Sequence, residues 1–327
     1  MMTPAIIEAM QAHLGAALPR WGMATHATLA FLSHSENTTF LAEDPQSGRR
    51  LVLRVQRVGY HTPAEIVSEL AWIDALIADA VIVTPRPVPD RDGQLLCPVP
   101  LNGSMRQVVA FEHMSGREPD PSDSLATWFH KLGAVSAQLH DHSRRWQRPA
   151  AFQRKMWDFD AMLGTRPLWG DWRDGLGLRR PDLQLLQRVA DALAQRVDAY
   201  GQGSHRFGLV HADLRLANLL VDGERLGIID FDDCGFSWFF YDFAAAVSFI
   251  EHEPIIADLQ AAWLAGYRTV APVSKEDEAM LPVFVVLRRM LLTAWIASHS
   301  DTETARQLGT DYTQGTLMIG ERFLATL

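Results

Sequence analysis

Apolar positions alternate with polar ones between Thr28 and Val55, in the runs LAFL, NTTFLA and RRLVLRV. Asp44 to Gly48 supplies the turn between the last two, so the segment predicts short strands. The period changes after Thr62-Pro63-Ala64-Glu65, a capping box with Pro at the first helical position, and IVSELAWIDALIADA continues that helix. Upstream, MMTPAIIEAMQAHLGAALPRW reads as an amphipathic helix. Residues 81–104 are rich in Pro and Gly and predict short strand pieces joined by turns, and Gln107 to Met114 is an apolar strand that turns polar before Ser115-Gly116.

The remainder reads as mainly helical. Helices are expected over Ser122 to Arg145 and over Pro181 to Tyr200, the second with Leu186, Val189, Leu193 and Val197 on one face and Gly201 beyond its end. After Asp242 follow AAAVSFIEH, IIADLQAAWLAGY, a helix with a Ser274/Asp277 capping box, and a last helix near 303–326. The tryptophan-rich segment 146–180 is irregular and suits either a substrate-facing insert or an aromatic surface against the core. Met280 to Ala297 is long and apolar, but Pro282, Arg288 and Arg289 would be costly in lipid, so it predicts a core helix.

Between these blocks lies the stretch LVHADLRLANLLVDGERLGIIDFDDCGFSWFFYD, residues 209–242, which sets polar groups at the ends of apolar strands. Leu219 to Val221 and Leu226 to Ile229 predict a hairpin around Asp222-Gly223. A loop of only those two residues would leave Asp230 too far along. A four-residue loop, 222–225, sets Asn218 opposite Ile229, so that Asn218 and Asp230 could share one cation. Transfer of a γ-phosphoryl group needs a carboxylate near the attacking hydroxyl and oxygen ligands for Mg²⁺, which Asp213, Asn218 and Asp230 supply in chain order. The competing readings are a buried polar network and, with His211 and Asp213 as ligands, a metal-dependent hydrolase. The absence of a further His in the motif disfavours the latter.

HADLRLANLLV, GIIDFDD and YDFAAA together resemble the Brenner-type motif of the aminoglycoside phosphotransferase and choline kinase superfamily, and the resemblance extends over most of the chain. It implies an α+β, two-lobed protein-kinase-like fold, with an antiparallel-sheet nucleotide-binding lobe at 1–112 and a helical catalytic and substrate lobe at 113–327. By matching position it implies Asp213 as catalytic base, Asn218 and Asp230 as Mg²⁺ ligands, and Asp242 as a structural carboxylate behind the loop. Where kinases fold a glycine-rich hairpin over ATP, this chain has Ser33 to Thr39, in which Asn37 and Thr38 are candidate phosphate donors. Arg54 stands where kinases place a phosphate-binding Lys, and Glu69 resembles its helix partner, with Glu65 one turn away as the alternative. The backbone of Glu112, His113 and Met114 would form the hinge that binds adenine. IIDFDD also resembles bacterial stress-response kinases that act on protein Ser/Thr.

Composition narrows the partners. The 327 residues carry a net charge of −9 with no basic block, which argues against nucleic acid. Two cysteines, Cys97 and Cys234, give neither a disulfide framework nor a zinc pattern, so a reducing cytoplasm is expected, with no membrane partner. His140 and His142 read as a helix-end pair, and Trp238 to Tyr241 as packing beneath the loop in preference to a quaternary-amine cage. The sequence therefore predicts an ATP- and Mg²⁺-dependent kinase of a small hydroxyl compound: an amino alcohol, a homoserine-like compound or an aminoglycoside. The alternatives are a protein Ser/Thr kinase and a nucleotide-binding module without turnover.

Overall fold

A computed structural model describes residues 4–35, 37–101, 103–120, 124–300 and 302–327. Glu36 of the first hairpin loop and Ser122, where the sequence pattern opens a helix, lie outside the described residues. The fold is a two-lobed α+β arrangement. One compact unit comprises residues 1–116 with 148–153, and the other residues 117–147 with 154–327.

The first unit contains α1 (Pro4–Ala17), β1 (Thr28–His34), β2 (Thr38–Glu43), β3 (Arg50–Val55), α2 (Pro63–Ala78), β4 (Pro87–Val88), β5 (Cys97–Leu101) and β6 (Ser104–Glu112). Its antiparallel sheet runs β1-β2-β3-β6-β4, with β5 folded back as a hairpin on β6. Met10, Leu14 and Trp21 join Phe40, Leu53, Val55 and Val108 in one buried apolar cluster. Helix α2 begins as its residues dictate, since Thr62 Oγ1 accepts from Glu65 N at 3.2 Å and Glu65 Oε2 accepts from Thr62 N at 2.8 Å. Its buried face carries Ile66, Leu70, Ile73 and Leu76, and one charged residue, Glu69.

The second unit contains α3 (Leu125–Arg145), α4 (Phe159–Met162), α5 (Arg180–Tyr200), β7 (Phe207–Val210), β8 (Leu219–Asp222), β9 (Arg225–Ile228), β10 (Gly235–Trp238), α6 (Tyr241–Ala246), α7 (Ile256–Arg268), α8 (Lys275–Ser298) and α9 (Glu303–Leu324). Strands β7 and β10 form one antiparallel pair, and β8 and β9 another. The second hairpin corrects the expected four-residue loop: Asp222 pairs with Arg225, so only Gly223 and Glu224 turn the chain, with Gly223 at φ 58°. The expected register survives, because Ile229 N donates to Asn218 O at 3.0 Å.

Helix α6 is also shorter than its apolar run suggests. It stops at Ala246, and Phe249 adopts a left-handed φ of 74° with its ring against Trp295 and Tyr312. In the irregular segment 146–180, Trp157, Trp169 and Trp172 are buried, which favours the aromatic surface against the core. Trp238 to Tyr241 are buried as packing, with Trp238 on Phe207 and Phe284 and Phe240 on Trp263 and Tyr267. Helix α8 has the length and apolarity of a membrane span, yet 89% of its apolar window is buried inside the protein.

Helices α3 and α7 cross where neither can carry a side chain. A Cβ on Gly133 would lie 1.9 Å from Trp263 O, and one on Gly266 would lie 1.8 Å from His130 O. Gly133→Ala is therefore expected to destabilise by at least about 3 kcal/mol, the upper range for overpacking, in urea unfolding. Gly15→Ala in α1, with open space around it, is expected to stabilise by about 0.5–1 kcal/mol through helix propensity.

Candidate active site

In the first unit the sheet presents one buried cation. Arg54 lies next to the end of β3, 4% exposed, and its Nη2 donates to both Glu69 oxygens, at 2.8 and 2.7 Å. Glu69 is fully buried, whereas Glu65 is occupied by the α2 cap, which decides between the two candidate partners. Burying this pair is tolerable because the charges meet in direct hydrogen bonds, and the guanidinium also sits over the Phe111 ring at 5.2 Å.

The other nucleotide candidates are placed as follows. Asn37 is buried and its Oδ1 accepts from Arg57 N at 3.0 Å, while Thr38 Oγ1 lies 3.0 Å from His34 Nδ1. Thr38 thus braces the hairpin internally, and Asn37 ties its loop to the chain after β3. Glu112 ends β6 and its amide donates to Arg86 O at 2.9 Å; the amide of His113 donates to Arg50 O at 3.4 Å, and half-buried Met114 follows. Partial burial and the charge of Arg50 push the His113 imidazole below its ordinary pKa.

In the second unit the chain leaves β7 into a tight loop. Ala212 takes φ 66°, a conformation disfavoured for a residue with a Cβ, and is held there by Asp242. Asp242 Oδ1 accepts from Ala212 N at 2.7 Å and Oδ2 from His211 N at 3.3 Å, while His140 Nε2 lies 3.0 Å from Oδ2. His140 is completed by Tyr267 OH at 3.0 Å from Nδ1, so it belongs to this support and to no metal. His211 Nδ1 accepts from Asp213 N at 3.3 Å, which directs Nε2–H to Ile229 O at 3.1 Å and assigns the imidazole an orienting task.

Asp213 is gripped from three sides. Arg288 Nη2 donates to Oδ1 at 2.7 Å, and Arg215 Nε and Asn218 Nδ2 donate to Oδ2 at 3.1 and 2.8 Å. Burial alone would push the carboxyl up, but the charges of Arg215 and Arg288 outweigh it and hold Asp213 below the ordinary carboxylate range. The sequence reading missed Arg215, Arg288 and the function of His140. Arg215 lies inside the motif, and an Arg in an apolar helix is itself a signal of a buried partner.

Asn218 spends its amide nitrogen on Asp213, which leaves Oδ1 as its ligating atom. Asp230, exposed and at φ 62°, follows Ile229, the residue paired with Asn218. One amide oxygen and one carboxylate form a hard oxygen donor set, so these residues fit Mg²⁺.

A family profile described as "Phosphotransferase enzyme family" (APH) matches residues 28–273. The chain is 44% identical to a microcompartment-associated aminopropanol kinase of solved structure, with 96% of this chain and 97% of that one covered and a TM-score of 0.88. It is 24% identical over 302 residues to amicoumacin kinase of Bacillus subtilis, covering 89% of this chain and 86% of that protein. It is 30% identical over 263 residues to homoserine kinase of Mesorhizobium japonicum, covering 76% of this chain and 73% of the relative.

Two consequences can be measured. Glu69→Ala removes the carboxylate from a buried guanidinium and is expected to cost about 3–5 kcal/mol, whereas Glu65→Ala loses part of a cap and is expected to cost about 1 kcal/mol, both read by denaturant unfolding. Burial holds the His140 pKa below its ordinary 6.5, so the unfolded chain takes up the proton first as pH falls. Stability is then full above pH 6.5 and declines as pH drops below it towards the folded pKa. His140→Gln is expected to flatten that part of the stability–pH curve.

Proposed function

We propose that this chain, which belongs to the phosphotransferase enzyme family, transfers the γ-phosphoryl group of ATP to the hydroxyl of a small amino alcohol. The observation that carries the chemistry is the ionised, three-fold braced Asp213 beside Asn218. The acceptor class is supported by the 44% identity to an aminopropanol kinase along nearly the whole of both chains. A net charge of −9 is compatible with a cationic acceptor.

Residues 1–112 would form the nucleotide lobe and 113–327 the catalytic and acceptor lobe. Arg54, held by Glu69, would bind phosphate oxygens, with Asn37 and Thr38 shaping the hairpin and the backbone of Glu112 to Met114 meeting the purine. Asn218 and Asp230 would hold Mg²⁺, which when bound neutralises charge on the phosphates. Asp213 would accept the hydrogen bond of the acceptor hydroxyl and aim its oxygen at phosphorus. Two buried cysteine thiols, Cys97 and Cys234, suit a reducing cytoplasm.

The test is an acceptor panel with labelled ATP and Mg²⁺: aminopropanol, ethanolamine, choline, homoserine, an aminoglycoside and a mixed protein substrate. An amino alcohol is expected to give the highest kcat/KM. Labelling of protein alone would establish the Ser/Thr kinase reading, and ATP binding without transfer to any acceptor a regulatory module. Asp213→Ala is expected to lower kcat by at least ~10²-fold with the fold retained.

A further inference from the structure

We propose that Arg288 is a positioning residue for phosphoryl transfer, holding Oδ1 of Asp213 so that this oxygen offers its remaining acceptor direction to the substrate hydroxyl. This rests on the phosphotransferase reading above and adds to it a residue 75 positions downstream of Asp213.

Every nitrogen of the Arg288 guanidinium is engaged. Nε donates to Ser248 Oγ at 3.1 Å, Nη1 to Ala212 O at 3.2 Å and Tyr241 OH at 3.0 Å, and Nη2 to Asp213 Oδ1 at 2.7 Å. Ser248 is itself anchored, donating to Ala245 O at 2.7 Å, and Tyr241 opens α6. The side chain is 2% exposed, and the Trp169 ring lies 5.1 Å from it. A planar fork fixed at so many points can hold one oxygen in one place, which a lysine ammonium, a point charge on a flexible stem, reproduces only in part.

The acceptor count shows what that placement leaves. A carboxylate offers about four lone-pair directions. Arg215 and Asn218 take two on Oδ2, and Arg288 takes one on Oδ1. Among the described residues the open direction is therefore on Oδ1, the atom Arg288 orients. In the transfer step the acceptor oxygen bonds to the γ-phosphorus while the bond from that phosphorus to the bridging oxygen breaks. ADP departs with the electron pair, and the hydroxyl proton passes along its hydrogen bond to Asp213 and then to solvent.

The next residue supplies a control. Arg289 is equally buried, and it bonds Glu251 Oε2 at 2.8 Å, Thr316 Oγ1 at 3.0 Å and Tyr312 O at 2.7 Å. These contacts tie α8 to α9 and to the chain after α6, so Arg289 carries structure alone.

The experiment compares Arg288→Met, Arg288→Lys and Arg289→Met by steady-state kinetics with ATP and the best amino alcohol, and repeats Arg288→Met in an Asp213→Ala background. Arg288→Met is expected to lower kcat ~10²-fold while the ATP KM stays within about twofold, and Lys to restore at least ~10-fold of that loss. In the Asp213→Ala background the same change is expected to cost less than about threefold, because the two side chains act as a unit. Arg289→Met is expected to lower the melting temperature with kcat within about threefold of wild type. Full kcat in Arg288→Met, or an equal loss in both backgrounds, would overturn the positioning role. Should Arg288→Met fail to fold, Tyr241→Phe, which removes one anchor of Arg288, replaces it. A kcat loss that disappears in the Asp213→Ala background supports the proposal, and an unchanged kcat or a loss equal in both backgrounds overturns it. Wild-type protein that phosphorylates no acceptor would overturn the function and this role together, whereas an active wild type with an unaffected Arg288→Met overturns this role alone.

Discussion

An ionised carboxylate only 9% exposed is the constraint on which the second unit depends. Taking the Asp213 charge out of water is unfavourable unless the lost hydration is replaced by fixed donors. Two arginines and an asparagine replace it, and each of them must then be held in turn. Arg288 is anchored on α6 and on the turn that follows it, and Asn218 extends a strand pair that continues to Asp230.

The backbone of the two loops that follow β7 and β9 stores strain. Ala212 and Asp230 both adopt left-handed conformations, which a side-chain-bearing residue accepts only when its surroundings over-determine them. At Ala212 the determinants are visible: the amide is taken by Asp242 and the carbonyl by Arg288. Asp242, His140 and Tyr267 carry that hold to α3 and α7, which meet so closely that glycine is required on both sides. Helix packing and loop conformation are thus parts of one arrangement. The Arg54 and Glu69 pair follows the same rule in the first unit, where a buried cation is made acceptable by a carboxylate that accepts from it with both oxygens.

Much of this was legible from local pattern. The capping box, the strand period and the Gly after α5 concern neighbours within a few residues, where side-chain type and backbone geometry are directly linked. The choice between Glu65 and Glu69 stayed open in the sequence and was decided by the structure, where Glu65 caps its own helix and Glu69 meets Arg54. The end of α6 and the length of the 222–225 turn were misread. In the first case aromatic contacts across α8 and α9 stopped an apolar run that could have continued as helix, and in the second the strands paired one position further towards the turn.

Taken alone, then, the sequence determined the phosphotransferase family and supplied the candidates for its local instruments. Asp213, Asn218 and Asp230 lie close together along the chain, and the chemistry of phosphoryl transfer constrains both their types and their order. It could not determine what holds them. His140 reaches Asp242 across 102 residues and Arg288 reaches Asp213 across 75, and such pairs are chosen by how helices pack. Until α8 is docked, Arg288 is one arginine among many in the chain. Once docked, its guanidinium has a single set of partners, and the motif acquires its geometry.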